Sequence, residues 1–414
     1  MKKLLSSLLL LGLIIFNPLK IEAATRTIDS DATNWSSASS WVEGAVPLNT
    51  DDVVANASSA SITIDTTTCV ASTMVLTGYT GTMTFTAGQK LTVTTTVTFA
   101  SGMTIAGTGT LQLSNSATIT SAGKTFTGNL IFDAGVWILA DSWVVTGSVI
   151  GQTSTNTFNG NTLTIGGSLT ATRSILGTTN LVLNGTGILS CSTSSFSIAN
   201  NININTAGTI TIGTIFGFED GTFTYTAGTV DASTNSSTLI ISDSCTMNTN
   251  GISWYNIESS FINETITLGS NLSCTGSLTI HSGDSWISSG AYDISCGTLI
   301  LQVGSTFSMV SSRTLSVSTS MFLEGINTDI TTIKAVTTST AFNLDYNGTA
   351  ANCQVYEVTF TDVDASLSAQ GIDNWYGGTL TRTTNITNRT SADIGGGGTT
   401  YYQGTSLFNG GLEE

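Results

Sequence analysis

Paired carboxylates are the groups in this 414-residue chain whose types and spacing come closest to chemistry. Asp51-Asp52, Glu219-Asp220 and the couple Asp362 and Asp364 each place two acids within two positions. Glycoside hydrolysis needs two carboxyl groups facing one cleft, one as acid and one as base or nucleophile. Asp362 and Asp364 stand two apart, the spacing that shares one face of a strand. The same spacing suits a solvated edge or a calcium-binding corner, because calcium takes carboxylate oxygens. Lyase chemistry asks for a base beside such a site, yet no Lys or Arg occurs between Arg173 and Arg313. His281, the single histidine, lies in a Ser-Gly-Asp turn with no partner legible nearby, which reads as a polar loop residue. Serine is so common that counting alone leaves a Ser/His/Asp set open, but no G-x-S-x-G elbow points to one.

The cysteines are Cys69, Cys191, Cys245, Cys274, Cys296 and Cys353. None forms a C-x-x-C pair, and with one histidine a zinc site has little support. Cys274 and Cys296 are 22 residues apart, near one turn of a solenoid, so a disulfide between them is one reading. The other is that each thiol is a small buried hydrophobe. Gly395 to Gly398 is no phosphate loop, since no Lys follows it. No cofactor is expected.

Only 9% of the residues are charged, against roughly 25% in average proteins. Gly, Ser, Thr and Asn take their place, while 40% hydrophobic residues argue against disorder. The net charge is −16, and a phosphate backbone needs cationic contacts, so nucleic-acid binding is not expected. The first residues read as an address. Lys2 and Lys3 precede a largely apolar run from Leu4 to Phe16, too short for a membrane span of about 20 residues. Ile21-Glu22-Ala23-Ala24 then offers cleavage after Ala23 or Ala24. The expectation is an exported protein, extracellular or at the cell surface, with no transmembrane segment in the mature chain.

The elements that must position any site are short strands. Thr82 to Thr86, Leu91 to Val93 and Leu111 to Leu113 alternate apolar with Thr or Gln and stop at glycine, the pattern of a strand buried on one face. A longer repeat sets Val136–Val149 against Thr265–Leu278 at an offset of 129. It aligns the inward residues Trp137, Leu139, Trp143 and Val145 with Ile266, Leu268, Leu272 and Cys274, and Ile165 with Cys296. Coils of 20 to 30 residues mean a solenoid, here on the order of 15 coils of about 25 residues. The organisation expected is a signal peptide (1–23), an N-terminal cap (24–65), an all-β solenoid (66–340), last coils (341–392) held by Phe342, Tyr346, Phe360, Trp375 and Tyr376, and a Gly-rich tail (393–414).

The cap residues Trp35, Trp41, Pro47, Asp51 and Asp52 belong to a wider pattern with Gly44, Val53 and Ile62-Thr63-Ile64-Asp65. This pattern resembles the entry segment of G8-type domains and of autotransporter passenger solenoids. It is also similar to the opening of repetitive phage tail-fibre proteins, and Phe360 to Ser366 is similar to the stretches that close such solenoids. The resemblance implies a right-handed parallel β-helix. Trp35 and Trp41 also admit a sugar-stacking platform. The composition favours a structural or adhesive surface role, with glycans or surface proteins as partners and no catalysis. A virion tail component and a β-helix polysaccharide-degrading enzyme are the other readings the sequence leaves open.

Overall fold

The computed structural model describes residues 23–389, apart from 134, 153–154, 158–159, 195–196, 261–263, 327, 370 and 376–378. The expected signal peptide (Ala23 excepted), the expected tail and Tyr376 lie outside the described residues. The chain is an all-β right-handed parallel β-helix of about 15 turns. Helix is confined to two single turns, Ala38–Ser40 and Ala350–Asn352, among the described residues.

The protein divides into two units, residues 1–258 with 266–273 and residues 259–265 with 274–414. In the first unit each turn contributes a strand to three sides. One side runs through Thr25–Thr27, Asp52–Val54, the ends of Cys69–Val75 and Lys90–Thr98, Ala117–Thr120 and Val136–Leu139. A second stacks the starts of Cys69–Val75 and Lys90–Thr98 with Thr110–Leu113, Asn129–Phe132, Val149–Gly151, Leu169–Ala171 and Gly187–Cys191. The third carries Ile62–Ile64, Thr82–Phe85 and Thr104–Gly107 as a separate ladder. Farther along, Trp143–Val145 pairs with Thr162–Ile165, and pairing continues through Ile175–Leu183, Ile198–Ile212, Thr222–Asp231 and Cys245–Asn248 to Ile266. Each of these strand pairings is parallel, because each strand meets its counterpart one full turn later, while the isolated bridges Ile28 to Trp41 and Ile326 to Asp329 are antiparallel.

This topology corrects the repeat at offset 129. The strand that leads to Ile266 is Trp143–Val145, not Val136–Leu139, so the alignment is displaced by one side. It still finds inward residues, since all three sides share the same alternation. Turn length varies about the expected 25: Leu111, Leu130, Val149, Leu169 and Leu189 are successive partners 19 or 20 residues apart, whereas Met321 and its partner Cys353 in the second unit are 32 apart.

Side chains that point inward form apolar rows. Trp143, Leu163, Leu181, Ile202, Phe223 and Met247 make one such row, each at most 2% exposed. Burying each is worth about 1.5–3 kcal/mol. Phe85, Phe126 and Trp143 pack in sequence, with ring centroids 5.0 and 6.0 Å apart. The buried indoles of Trp35, Trp137, Trp143 and Trp286 direct their N–H groups at no acceptor, so these rings act as apolar filler.

The second unit repeats the plan. Ser277–Ile280, the ends of Ile294–Leu301 and Thr314–Glu324, Cys353–Tyr356, Ile372–Trp375 and Ile386–Arg389 form one ladder. Ser285–Ser289, Thr306–Met309, Thr331–Ala335, Val358–Asp364 and Leu380–Thr384 form another. Phe342, Tyr346 and Phe360 are buried in this unit.

One corner of the first unit explains the short turn. Gly109, Gly128, Gly147, Gly166 and Gly185 recur every 19 residues. A Cβ on Gly128 would stand 1.9 Å from the Gly109 carbonyl oxygen, and one on Gly185 would stand 1.8 Å from that of Gly166. Backbone sits on backbone here, and no side chain fits between. Gly185→Ala should therefore lower the thermal midpoint well beyond Gly123→Ala, where φ is +74° but the space is open. The expected costs are about 3 kcal/mol or more against about 1 kcal/mol. Circular dichroism melts of the two variants measure the difference.

Candidate functional site

The residues with chemical potential fall into three groups: those spent on the fold, those gathered at corners, and those on the outer faces. Asp51 belongs to the first. It is 1% exposed, and it accepts hydrogen bonds from Arg26 Nε at 2.9 Å and from the Leu48 and Ala24 backbone N–H groups at 3.0 and 3.1 Å. Burial pushes its carboxyl up, but the Leu48, Arg26 and Ala24 donors together hold it below the ordinary value. Asp52 points outward and accepts from Thr73 Oγ1 at 2.7 Å. Pro47 is buried nearby.

Trp35 and Trp41 are 0% and 2% exposed, with centroids 4.9 Å apart and planes at 80°. Trp41 Nε1 donates to the Trp35 carbonyl at 3.0 Å. Sugar stacking needs an open ring face, so the platform reading is set aside. Trp35 is fixed from both sides of its chain: its N–H donates to the Thr63 carbonyl at 2.8 Å, and the Thr63 N–H donates to Thr33.

Asp362 and Asp364 do not share a face. Asp362 has φ +57°, and this left-handed residue breaks the alternation of Val358–Asp364. Asp362 turns inward at 1% exposure, Val363 is buried, and Asp364 stays half-buried and accepts from the Ser366 N–H at 2.9 Å. Arg382 binds both oxygens of Asp362, with Nη2 to Oδ2 at 2.7 Å and Nε to Oδ1, and the Ser339 N–H adds a bond at 3.0 Å. The guanidinium takes both oxygens of Asp362, and its hydrogen bonds hold the Asp362 carboxyl below the ordinary range. No group of three or more His, Cys, Asp or Glu among the described residues is arranged to hold a metal ion. Glu219 and Asp220 sit on the first unit, half-buried and exposed, Asp220 at a corner with φ +46°.

His281 marks a corner of the second unit where serine, histidine and aspartate meet. Ser259 Oγ donates to Asp284 Oδ2 at 3.0 Å, and the His281 backbone N–H donates to Ser259 Oγ at 3.4 Å. The imidazole Nδ1 lies 3.4 Å from Gln302 Oε1, one turn farther on. A triad needs the ring nitrogen on the serine hydroxyl. Here the hydroxyl proton goes to the carboxylate and the main chain of the histidine meets the serine. Burial pushes the Asp284 carboxyl up, with Ser259 and His281 pulling the other way. The set ties turn to turn.

Cys274 and Cys296 are both buried, and their thiols hydrogen-bond to each other. They form no disulfide, and Cys69, Cys191 and Cys353 are likewise free thiols. The Cys274 contact, with burial behind it, pushes the Cys296 thiol well up.

The third group lies on the outer side of the first unit, over Thr162–Ile165 and the strands stacked after it. Thr162, Asn180 and Asn201 stand in register in one row, and Thr222, Thr246 and Thr267 extend it. Asn201 Nδ2 donates to Asn180 Oδ1 at 3.1 Å, and the Thr222 N–H donates to Asn201 Oδ1 at 3.0 Å. The adjoining row reads Thr164, Val182, Asn203, Thr224 and Asn248. Neither row contains a charged residue. Rows in a β-ladder repeat at about 4.8 Å, so hydroxyl and amide groups recur at a fixed interval.

No family model, curated protein or solved structure matches the chain. No helix among the described residues is long and apolar enough to cross a membrane.

The Asp362–Arg382 pair carries a pH signature. Its carboxyl is lowered in the folded protein, so its stabilisation is present above the unfolded aspartate value of about 3.9 and is lost as pH falls through the folded value. Arg382→Met should therefore melt below wild type at pH 7, and the gap should narrow as pH falls below about 3.9.

Proposed function

We propose that this protein is an exported, non-catalytic β-solenoid that works at a surface and binds neutral polar partners, glycans first among them, through its outer hydroxyl and amide rows. The observation that carries the reading is the pair of uncharged rows from Thr162 to Thr267 and from Thr164 to Asn248. Sugars present hydroxyl groups in repeating order, and a repeating ladder of donors and acceptors can meet them at several places at once. Each contact is weak, and their number supplies the affinity.

The fate of the acids supports the same reading. Asp51 and Asp362 are each tied to an arginine, and Asp284 is tied to Ser259. A glycosidase would keep two carboxyls open to one cleft. The net charge of −16 and the lack of cations from 174 to 312 speak against a polyanionic partner. Residues 24–65 fit the part of an N-terminal cap, since Trp35 and Trp41 bury their rings beside the first strands.

The test is co-sedimentation of the protein with insoluble neutral polysaccharides and with washed bacterial cell walls. Retention should persist between about 50 and 500 mM salt, since neutral contacts are not screened. Asn201→Lys with Thr222→Lys, assayed well below its own melting temperature because it loses the Asn201–Asn180 bond, should cut retention about tenfold or more. Absence of retention on every wall and polysaccharide would sink the reading, and release of sugar fragments would replace it with an enzyme.

A further inference from the structure

The first described residues hold a feature that the fold does not require. Ala24 is fastened by both of its backbone groups. Its carbonyl accepts the Asp52 N–H at 2.8 Å, and its own N–H donates to Asp51 Oδ1 at 3.1 Å. Asp51 is 1% exposed, so a carboxylate withdrawn from water is aimed at the nitrogen of residue 24. Its other oxygen takes Arg26 and Leu48. Ala23, one residue earlier, is exposed.

The sequence places an export signal upstream of this point and offers two cleavage bonds, after Ala23 or after Ala24. The geometry separates them. Cutting after Ala24 would remove the acceptor of the Asp52 N–H and a donor to Asp51. It would also set charged Glu22 at the third position before the cut, where cutting after Ala23 sets the uncharged Ile21. Cutting after Ala23 keeps both bonds.

We propose that the Ala23–Ala24 bond is the processing site and that cleavage converts Ala24 into an α-ammonium held by Asp51, an ion pair that locks the first turn only after export. The inference rests on the exported reading above. In the step, a leader peptidase directs water onto the Ala23 carbonyl. The carbon–nitrogen bond breaks, Ala23 leaves as a carboxylate, and the Ala24 nitrogen takes up the protons to become an ammonium. One amide N–H facing Asp51 is thereby replaced by three charged donors. A carboxylate offers about four lone-pair sites, and three are filled by Ala24, Arg26 and Leu48.

The charged groups around the site are few. Arg26 shares the carboxylate, Asp52 is occupied by Thr73, and Glu43 accepts the Thr27 N–H. A free α-amino group has a pKa of about 7.7–8.0, and an adjacent buried carboxylate raises it. The stabilisation is therefore complete below about pH 7.7 and is lost as pH rises through the raised value.

The test compares two purified forms released from a cleavable fusion, one beginning at Ala24 and one beginning at Ala23, each with Asp51 and with Asp51→Asn. The Ala24 form should melt a few degrees above the Ala23 form at pH 6.5. The gap should vanish in Asp51→Asn, and in wild type it should close above about pH 10. Equal melting at pH 6.5, or a gap that survives Asp51→Asn or high pH, overturns the lock. If Asp51→Asn does not fold, the pH series on the wild-type pair decides. Intact mass of exported protein should begin at Ala24; a start at Thr25 or Met1 overturns the processing site. An Ala24 start without polysaccharide retention would defeat the surface reading alone.

Discussion

Each turn of this protein rests directly on the backbone of the turn before it, and that contact governs nearly everything else. Parallel strands stacked a full turn apart satisfy one another's N–H and C=O groups, so the main chain needs no helices and no hairpins. The stacking distance is set by the hydrogen bond, about 4.8 Å, and side chains at matching positions must live with it. Inward positions become rows such as Leu111, Leu130, Val149, Leu169 and Leu189. Where the chain turns a corner tightly, even a methyl group is too much, as between Gly166 and Gly185.

Polar chemistry is subordinate to the same contact. Ser259, His281, Asp284 and Gln302 carry groups that elsewhere serve catalysis, yet their bonds run from one turn to the next. Lys90, Gln112 and Asp133 do likewise, with bonds of 2.7 and 2.8 Å along an outer side. Asp362 and Arg382 join two neighbouring strands in the same fashion. A protein with few charges has used several of them to hold its own layers in place.

Alternation made the strands, the parallel solenoid and the inward cysteines legible, because a residue's side depends only on its neighbours in sequence. Turn length was harder. Two stretches on different sides of the solenoid share one alternation, so Val136–Val149 matched Thr265–Leu278 although they are not in register. The glycines at 109, 128, 147, 166 and 185 held the period of their own corner in plain view, but each alone reads as an ordinary turn. Asp362 and Asp364 misled because a left-handed residue within a strand leaves no mark beyond its identity. The partner of the His281 ring, Gln302, stands 21 residues away, and no local pattern announces it. Burial of Trp35 and Trp41 was legible as a covering role, whereas the hold of Asp51 on Ala24 depends on a fold-back of 27 residues.

The 19-residue glycine column also has a meaning for descent and for engineering. A block of about that length, cut at one corner and pasted at the next, brings its own row members and its own glycine. Duplicating or deleting such a block leaves every remaining partner facing the kind of neighbour it had before. A corner such as the one where Ile326 bridges Asp329 can grow without disturbing the rows. Within a unit, length is therefore a trait that mutation can adjust in whole steps, and the outer ladder lengthens with it.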